Sequence, residues 1–157
     1  MSESVNDVCD YVIDKVTDSG ESLSNLKLQK LVYYVQAWYL AFENSSLCDE
    51  KFEAWVHGPV SRALFNRFAS DKSLYSDIYR SDMRDGFTPA NLSAEARAHI
   101  DRVLSVYAKF SGQQLEDMTH KEDPWVEARS GFEPWERCTN NIDEQTMKRY
   151  YASRLNR

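Results

Sequence analysis

The sequence predicts a mainly α-helical domain built around a central apolar helix, with at most a short β-strand or hairpin near residues 52–57. Two observations predict this fold class. Apolar residues recur at intervals of three and four through most of the chain, which is the spacing of one helix face. The composition, with 42% hydrophobic residues, 5 Gly and 4 Pro, is that of a globular chain whose 157 residues can bury a core without disulfides or metal. We therefore expect residues 1–157 to form one domain.

The first predicted helix begins near Val5 and has one apolar face. Its apolar residues follow the spacing i, i+3, i+4, i+7, i+8 and i+11: Val5, Val8, Cys9, Val12, Ile13 and Val16. The polar segment 17–21, which contains Gly20, predicts the end of this helix and a turn.

The second predicted helix is the most informative. Ser24 is a suitable N-cap, and Leu23 before it can pack on Leu28. From Leu28 to Phe42 the only charged residue is Lys30. A helix that is apolar on nearly all sides is buried on several of them or covered by something else. We expect this to be the central helix, with its less packed side forming a candidate contact surface.

Residues 52–57 alternate with period two, which predicts a short strand, although the sequence offers no clear strand partner. Because proline suits the first position of a helix, we expect a helix from Pro59 to about Ala69. Its buried side would carry Leu64, Phe65 and Phe68.

Residues 70–91 are polar and rich in turn signals, with a short helical turn predicted around Tyr75, Ile78 and Tyr79. The next helix is predicted to start near Leu92–Ser93, with a buried stripe at Ile100, Val103, Leu104, Tyr107 and Ala108.

Three further helix starts are predicted in the C-terminal third. Ser111 and Gln114 form a capping box, and Asp123 before Pro124 reads as a cap followed by proline at the first helical position. Asp143 can cap the last helix, with Ile142 packing on Met147.

Charge and composition exclude several classes of function. The chain has 25 acidic and 19 basic residues, so its net charge of −6 repels nucleic acid and anionic membranes. The densest basic group lies on the last predicted helix, at its C-terminus, where it complements the helix dipole: Lys148, Arg149, Arg154 and Arg157. We expect neither nucleic acid nor membrane as a partner.

The N-terminus shows no secretory signal, and three widely spaced cysteines fit a reducing cytoplasm. We therefore expect a cytoplasmic protein. The spacing of cysteine and histidine predicts neither a metal site nor a cofactor. The nucleophile-elbow, zinc-protease, Walker and dinucleotide motifs are absent from the sequence. Cys48 with His57 or His120, or His120 with Asp123, could supply a nucleophile and base, but we expect no enzyme.

The aromatic content favours binding to a protein partner. Aromatic residues make up 13% of the chain, and five tyrosine and tryptophan residues, including Trp38 and Trp55, fall within 23 positions of the sequence. Tyrosine and tryptophan are enriched in interface hot spots because they bury much area with little loss of rotamer freedom. The candidate partner-binding residues are Lys30, Tyr33, Tyr34, Ala37, Trp38, Trp55, Tyr75 and Tyr79.

Three ordered motifs carry a resemblance to a known family. They are KLQKLVYYVQAWYLA at residues 27–41, FEAWVHGPV at 52–60, and GxxLxxMTHxxDPW at 112–125. Together they resemble the Panacea, or SocA-like, antitoxin domain family, and with the flanking helices they cover nearly the whole chain. We interpret the following motif residues as structural: Lys27, Gln29, Gln36, His57, Gly58, Pro59, His120, Asp123, Pro124 and Trp125.

The resemblance implies a mostly helical domain that neutralises a toxin encoded beside it, usually by direct binding. In one branch of the family the domain delivers its toxin to a protease, so the expected partners are a cognate protein toxin and, as an alternative, a protease complex. This sequence departs from the family at His57, where an aromatic is frequent, and at Ala37, where glycine is common. We expect toxin contacts on exposed positions around the central helix and in the 70–91 loop. A DNA-binding regulator and a small enzyme remain alternatives, and the oligomeric state stays open.

Overall fold

A computed structural model describes residues 2–155 and confirms the mainly α-helical class. Met1 and the basic residue Arg157 lie outside the described part. The elements, in chain order, are α1 Val5–Asp18, α2 Asn25–Glu43, β1 Phe52–Trp55, β2 Gly58–Ser61, α3 Arg62–Phe68, α4 Ala94–Tyr107, α5 Gly112–Thr119, α6 Asp123–Ala128 and α7 Glu144–Ala152. Between residues 2 and 155, no helix has both the length and the apolar character that crossing a membrane requires.

The helix starts that depend on local capping lie where the sequence predicts them. Ser24 Oγ accepts the amide of Lys27 at 3.1 Å, and Ser93 caps α4. The Ser111–Gln114 capping box is formed at α5, and Asp143 caps α7. These predictions are confirmed because a cap satisfies free amides of the first turn with a neighbouring side chain and needs no tertiary partner.

Helix α2 is the centre of the fold, and α1, α4, α5, α7 and the hairpin all pack on it. Every residue from Asn25 through Ala37 is buried, whereas exposure begins at Trp38. The expected contact surface along one side of this helix is therefore absent over its first two-thirds. The exposed part of α2 is its C-terminal end.

Strand β1 has a partner, which corrects the expectation of a helix starting at Pro59. The chain reverses at Gly58 (φ 101°), and β2 runs antiparallel to β1, pairing Ala54 with Pro59. Helix α3 begins three residues later, at Arg62, because Ser61 supplies its cap. Of its predicted apolar side, Leu64 and Phe68 are buried, whereas Phe65 is half-buried.

The 70–91 segment contains two short 3-10 turns, Arg80–Asp82 and Pro89–Asn91, rather than the helical turn predicted around Tyr75–Tyr79. Ile78 is buried, and its amide donates to the carbonyl oxygen of Leu23 at 2.7 Å. This pairing with the residues before α2 holds the backbone extended, which overrides the local helical spacing.

Asp10 joins this segment to α1. Its carboxylate is fully buried and accepts from Arg67 Nη2 at 2.5 Å and from Arg84 Nε at 2.6 Å. The two guanidinium groups compensate the buried charge of Asp10, so a long polar segment is held against the helical core.

Helix α6 also starts differently from the prediction. Glu122, not Asp123, occupies the cap position, and Pro124 is the second helical residue. The side chain of Glu122 does not cap the helix, because its carboxylate accepts two tyrosine hydroxyl groups in the interior instead.

Candidate partner-binding surfaces

Four of the eight candidate partner-binding residues lie in the interior. Lys30, Tyr33, Tyr34 and Ala37 have 0% of their surface exposed. A side chain without accessible surface cannot touch a partner of the folded chain, so these four residues stabilise the core in this structure. The remaining four, Trp38, Trp55, Tyr75 and Tyr79, reach the surface.

The two buried tyrosines belong to a hydrogen-bonded network around Glu122. Tyr34 Oη donates to Glu122 Oε1 at 2.9 Å, and Tyr151 Oη donates to the same oxygen at 2.7 Å. Tyr33 Oη lies 3.1 Å from Tyr151 Oη. Burial raises the pKa of Glu122 against the opposing effect of these two donors. The network joins α2 to α7 and explains why tyrosine rather than phenylalanine fills this part of the core.

Lys30 lies beneath the hairpin. Its ammonium nitrogen donates to the carbonyl oxygen of Pro59 at 3.0 Å. Burial lowers the pKa of Lys30 to about 7, although the nearby carboxylate of Glu116 acts in the opposite direction. Glu116 Oε1 itself lies 3.3 Å from His57 Nδ1, without hydrogen-bond geometry. The hairpin therefore covers a lysine that ordinary burial rules disfavour.

Gly58 makes this burial possible. A Cβ atom added there would lie 2.5 Å from Lys30 Cε, and the positive φ of the residue also disfavours a side chain. The conformation of the turn and the burial of Lys30 thus depend on each other.

The other motif residues join elements of the fold. Gln29 pairs with Ser61, accepting its amide at 2.8 Å and donating to its carbonyl oxygen at 3.2 Å. Gln36 Nε2 donates to the carbonyl oxygen of Cys48 at 2.9 Å, and Lys27 Nζ donates to that of Ala108 at 2.6 Å.

The third motif fastens α6 to the hairpin. Trp125 Nε1 donates to the carbonyl oxygen of Trp55 at 2.8 Å, and the His120 ring stacks on Trp125 with centroids 4.1 Å apart. Burial lowers the pKa of His120. Pro124 is buried beside Trp125, and Asp123 is exposed.

One candidate surface, which we call the Trp38 groove, lies between the C-terminal end of α2 and helices α4 and α7. Two adjoining cavities of about 380 and 470 Å³ share Trp38 and Tyr107 as lining residues. The remaining residues that define the groove are Phe42, Arg102, Val106, Met118, Lys121, Glu122, Tyr150, Arg154 and Leu155. Phe42, Val106 and Leu155 are 51%, 52% and 43% exposed, so the apolar part of the groove faces solvent.

A second candidate, the hairpin surface, surrounds Trp55. A cavity of about 380 Å³ is lined there by Trp55, Val56, His57, Arg62, Phe65, Trp135, Arg137, Cys138 and Thr139. The Trp55 ring packs edge-on against Phe65 with centroids 4.8 Å apart, and the guanidinium of Arg62 lies over it at 4.9 Å. Trp135 is 74% exposed. Aromatic rings with arginine are the composition typical of interface hot spots.

The two tyrosines of the 70–91 segment line none of these three cavities. Tyr75 is exposed, and its ring lies 5.9 Å from that of His57, at the edge of the hairpin surface. Tyr79 is also exposed, with the ammonium of Lys72 over its ring at 5.1 Å. The structure therefore brings Trp55 and Tyr75 to one region and places Trp38 in a different groove.

The sequence reasoning missed four exposed apolar residues that now define these surfaces: Phe42, Val106, Trp135 and Leu155. Two of them carried a usable signal. Val106 lies off the buried stripe of its helix, and Trp135 lies in a polar, turn-rich segment. An apolar residue outside a periodic stripe predicts exposure.

The fold is thus a helical domain with a central buried helix, and the Trp38 groove and the hairpin surface are its two candidate surfaces for a protein partner. Residues 28–126, more than half of the chain, match the family described as antitoxin SocA-like, Panacea domain, and the chain belongs to this family.

One relative is the protein named Antitoxin SocA from Caulobacter vibrioides (strain NA1000 / CB15N). It is 28% identical over 125 residues, covering 75% of this chain and 66% of the relative, so the chain spans just under two thirds of that protein's length. No solved structure matches the chain.

Proposed function

We propose that this chain is the antitoxin of a toxin–antitoxin pair and that it neutralises a cognate protein toxin by binding it directly, without catalysis. Membership of the antitoxin SocA-like family is the observation that carries the proposal. The exposed apolar residues support direct binding, because apolar area removed from water is the main favourable term in protein association.

The environment of the possible nucleophile and base supports a role without catalysis. The thiol of Cys48 is buried and lies 3.7 Å from Gln36 Oε1, and burial raises its pKa to about 12. A thiol with this pKa holds little of the reactive thiolate at neutral pH. The ring of His120 stacks on Trp125. We infer that Cys48 and His120 stabilise the fold. We also propose that the protein is cytoplasmic.

Co-expression tests the proposal. The protein encoded by the open reading frame adjacent to this gene is induced with and without this chain, and growth is followed together with the cellular amount of both proteins. We expect the neighbour to arrest growth alone, and the arrest to be lifted when both are present as a complex that co-purifies. A neighbour that is harmless alone, or toxic but not rescued, overturns the proposal.

The amount of toxin separates two mechanisms of neutralisation. Direct inhibition leaves the toxin level unchanged during rescue, whereas delivery to a protease lowers it.

A variant with Cys48→Ala and His120→Gln tests whether these side chains act as catalytic groups, and it should rescue growth like the wild-type chain. Loss of rescue, with folding and complex formation intact, would indicate catalysis.

A further inference from the structure

We propose that the Trp38 groove binds a segment of the partner toxin that combines apolar side chains with carboxylates. This inference rests on the proposed function and identifies which of the two surfaces receives the toxin and what chemistry the groove recognises.

The groove offers a rigid apolar anchor. Trp38 Nε1 donates to Tyr107 Oη at 2.8 Å, and the Tyr107 ring stacks on Tyr34 with centroids 4.1 Å apart and an interplanar angle of 9°. Phe42 extends the apolar area, its ring centroid 5.8 Å from that of Trp38. Side chains held in one arrangement lose little entropy on binding, so this area contributes efficiently to affinity.

The charge of the groove is opposite to that of the chain. Arg102, Lys121 and Arg154 line it, and within residues 2–155 none of the three forms an ion pair. The carboxylate facing this area is Glu122, which already accepts from Tyr34 and Tyr151. Of the three cations, Arg154 lies close enough to Glu122 to oppose the rise that burial causes in the pKa of that carboxyl. The excess of three cations over one carboxylate at this place, on a chain of net charge −6, favours an acidic ligand here and disfavours one elsewhere.

The hairpin surface carries a smaller excess of positive charge, with two arginines beside one carboxylate. Its Arg62 pairs with Glu53 at 2.9 Å, and Arg137 also lies close enough to this carboxylate to lower its pKa. A carboxylate of the partner would have to compete there with Glu53. The same physical argument therefore assigns an acidic segment to the Trp38 groove.

Charge reversal provides the first test. The purified product of the adjacent open reading frame serves as probe, and its Kd is measured by biolayer interferometry at 50 and 300 mM NaCl. The double variant Arg102→Glu with Lys121→Glu should weaken binding at least tenfold at 50 mM NaCl and reduce the salt dependence. The control Arg137→Glu, on the hairpin surface, should change Kd less than twofold.

The apolar part has a matched pair of variants. Val106 in the groove and Val126 on α6, which lines neither cavity, are 52% and 47% exposed. We expect Val106→Ser to weaken binding about fivefold and Val126→Ser to leave Kd unchanged, with far-UV circular dichroism confirming that both variants fold. Both replacements change an exposed valine on a helix to serine, so they should affect the stability of the chain to a similar extent. A difference in Kd between the two variants therefore reports on the groove and not on stability.

The outcomes separate the two proposals. If the wild-type chain does not bind the toxin, the proposed function falls and this inference with it. If the wild-type chain binds but the groove variants bind equally well, or only Arg137→Glu binds more weakly, the inference alone is overturned. If size-exclusion chromatography shows a dimer of this chain that Val106→Ser dissociates, a second copy occupies the groove, which also overturns the inference.

Discussion

Replacing Lys30 by methionine should change how the stability of this protein depends on pH. Lys30 is fully buried, and its pKa falls from 10.5 when unfolded to about 7 in the folded chain. Between these two values the unfolded state binds more protons than the folded state, so the free energy of unfolding rises with pH. Below pH 7 both states hold the proton, and the full penalty of burying the charge remains.

The magnitude follows from the two pKa values. From pH 6.5 to 8.5 the titration of Lys30 contributes a rise of about 2 kcal/mol in the free energy of unfolding, at about 1.4 kcal/mol for each unit of pKa. Methionine matches the apolar stem of the side chain and ends one heavy atom short of the ammonium nitrogen, so it loses the charge and the hydrogen bond to the carbonyl oxygen of Pro59. Relative to the wild-type chain, Lys30→Met should therefore be more stable at pH 6.5 than at pH 8.5 by about 2 kcal/mol.

Urea unfolding followed by circular dichroism at pH 6.5, 7.5 and 8.5 measures this difference, with the exposed lysine variant Lys109→Met as control. Groups that Lys30 does not affect contribute equally to the wild-type chain and to the variant and cancel in the comparison. Besides burial, the charge of Lys30 lowers the pKa of His120, so this pKa is measured in both chains by NMR and its contribution is subtracted. If the free energies of Lys30→Met and the wild-type chain run parallel across these pH values, Lys30 is not a buried lysine with a lowered pKa.

Two further predictions concern stability and use matched controls. Asp10→Ala leaves two guanidinium groups without their buried carboxylate and should lower the free energy of unfolding by about 2 to 3 kcal/mol. The control Asp14→Ala removes a more exposed ion pair and should lower it by about 1 kcal/mol or less. Equal urea midpoints for the two variants would contradict this prediction. Gly58→Ala combines a positive φ with an overlap of its Cβ with Lys30 and should cost about 3 kcal/mol by urea unfolding. Gly20→Ala has a similar φ but open space around the added atom, and should cost about 1 kcal/mol; the same loss at both positions would show that the overlap is relieved.

The hairpin illustrates a limit of reading the sequence alone. The alternation over residues 52–57 indicated a strand, yet Pro59 suggested a helix start because both a strand and a first helical turn tolerate proline. The choice depends on Lys30 and Gln29, about 30 residues earlier in the chain, whose side chains bond to Pro59 and Ser61. No local pattern contains that information.

The candidate site shows the same limit in another form. Tyr33, Tyr34 and Trp38 are aromatic residues of one helix, and sequence reasoning treated all three as candidate partner-binding residues. All three contact Tyr151 of α7, more than 100 residues away in the chain. Tyr33 and Tyr34 are nevertheless fully buried, whereas Trp38 lies at the end of α2, where the groove leaves part of its ring open to solvent. Burial of an aromatic side chain is therefore a property of the packing partner as much as of the residue.

By itself, the sequence determined the helical class, the capped starts of α2, α4, α5 and α7 and the resemblance to an antitoxin family, because periodicity and caps act over a few residues and motifs are read directly. Only the tertiary structure decided that Lys30 and two tyrosines are interior, that a second strand takes the place of the first predicted turn of α3, and that three cations line the groove beside Trp38. These properties depend on which segments, distant in the sequence, pack against each other. The free energy of burying a side chain and the interaction energy between charges are determined by those contacts in space, and the local sequence does not contain them.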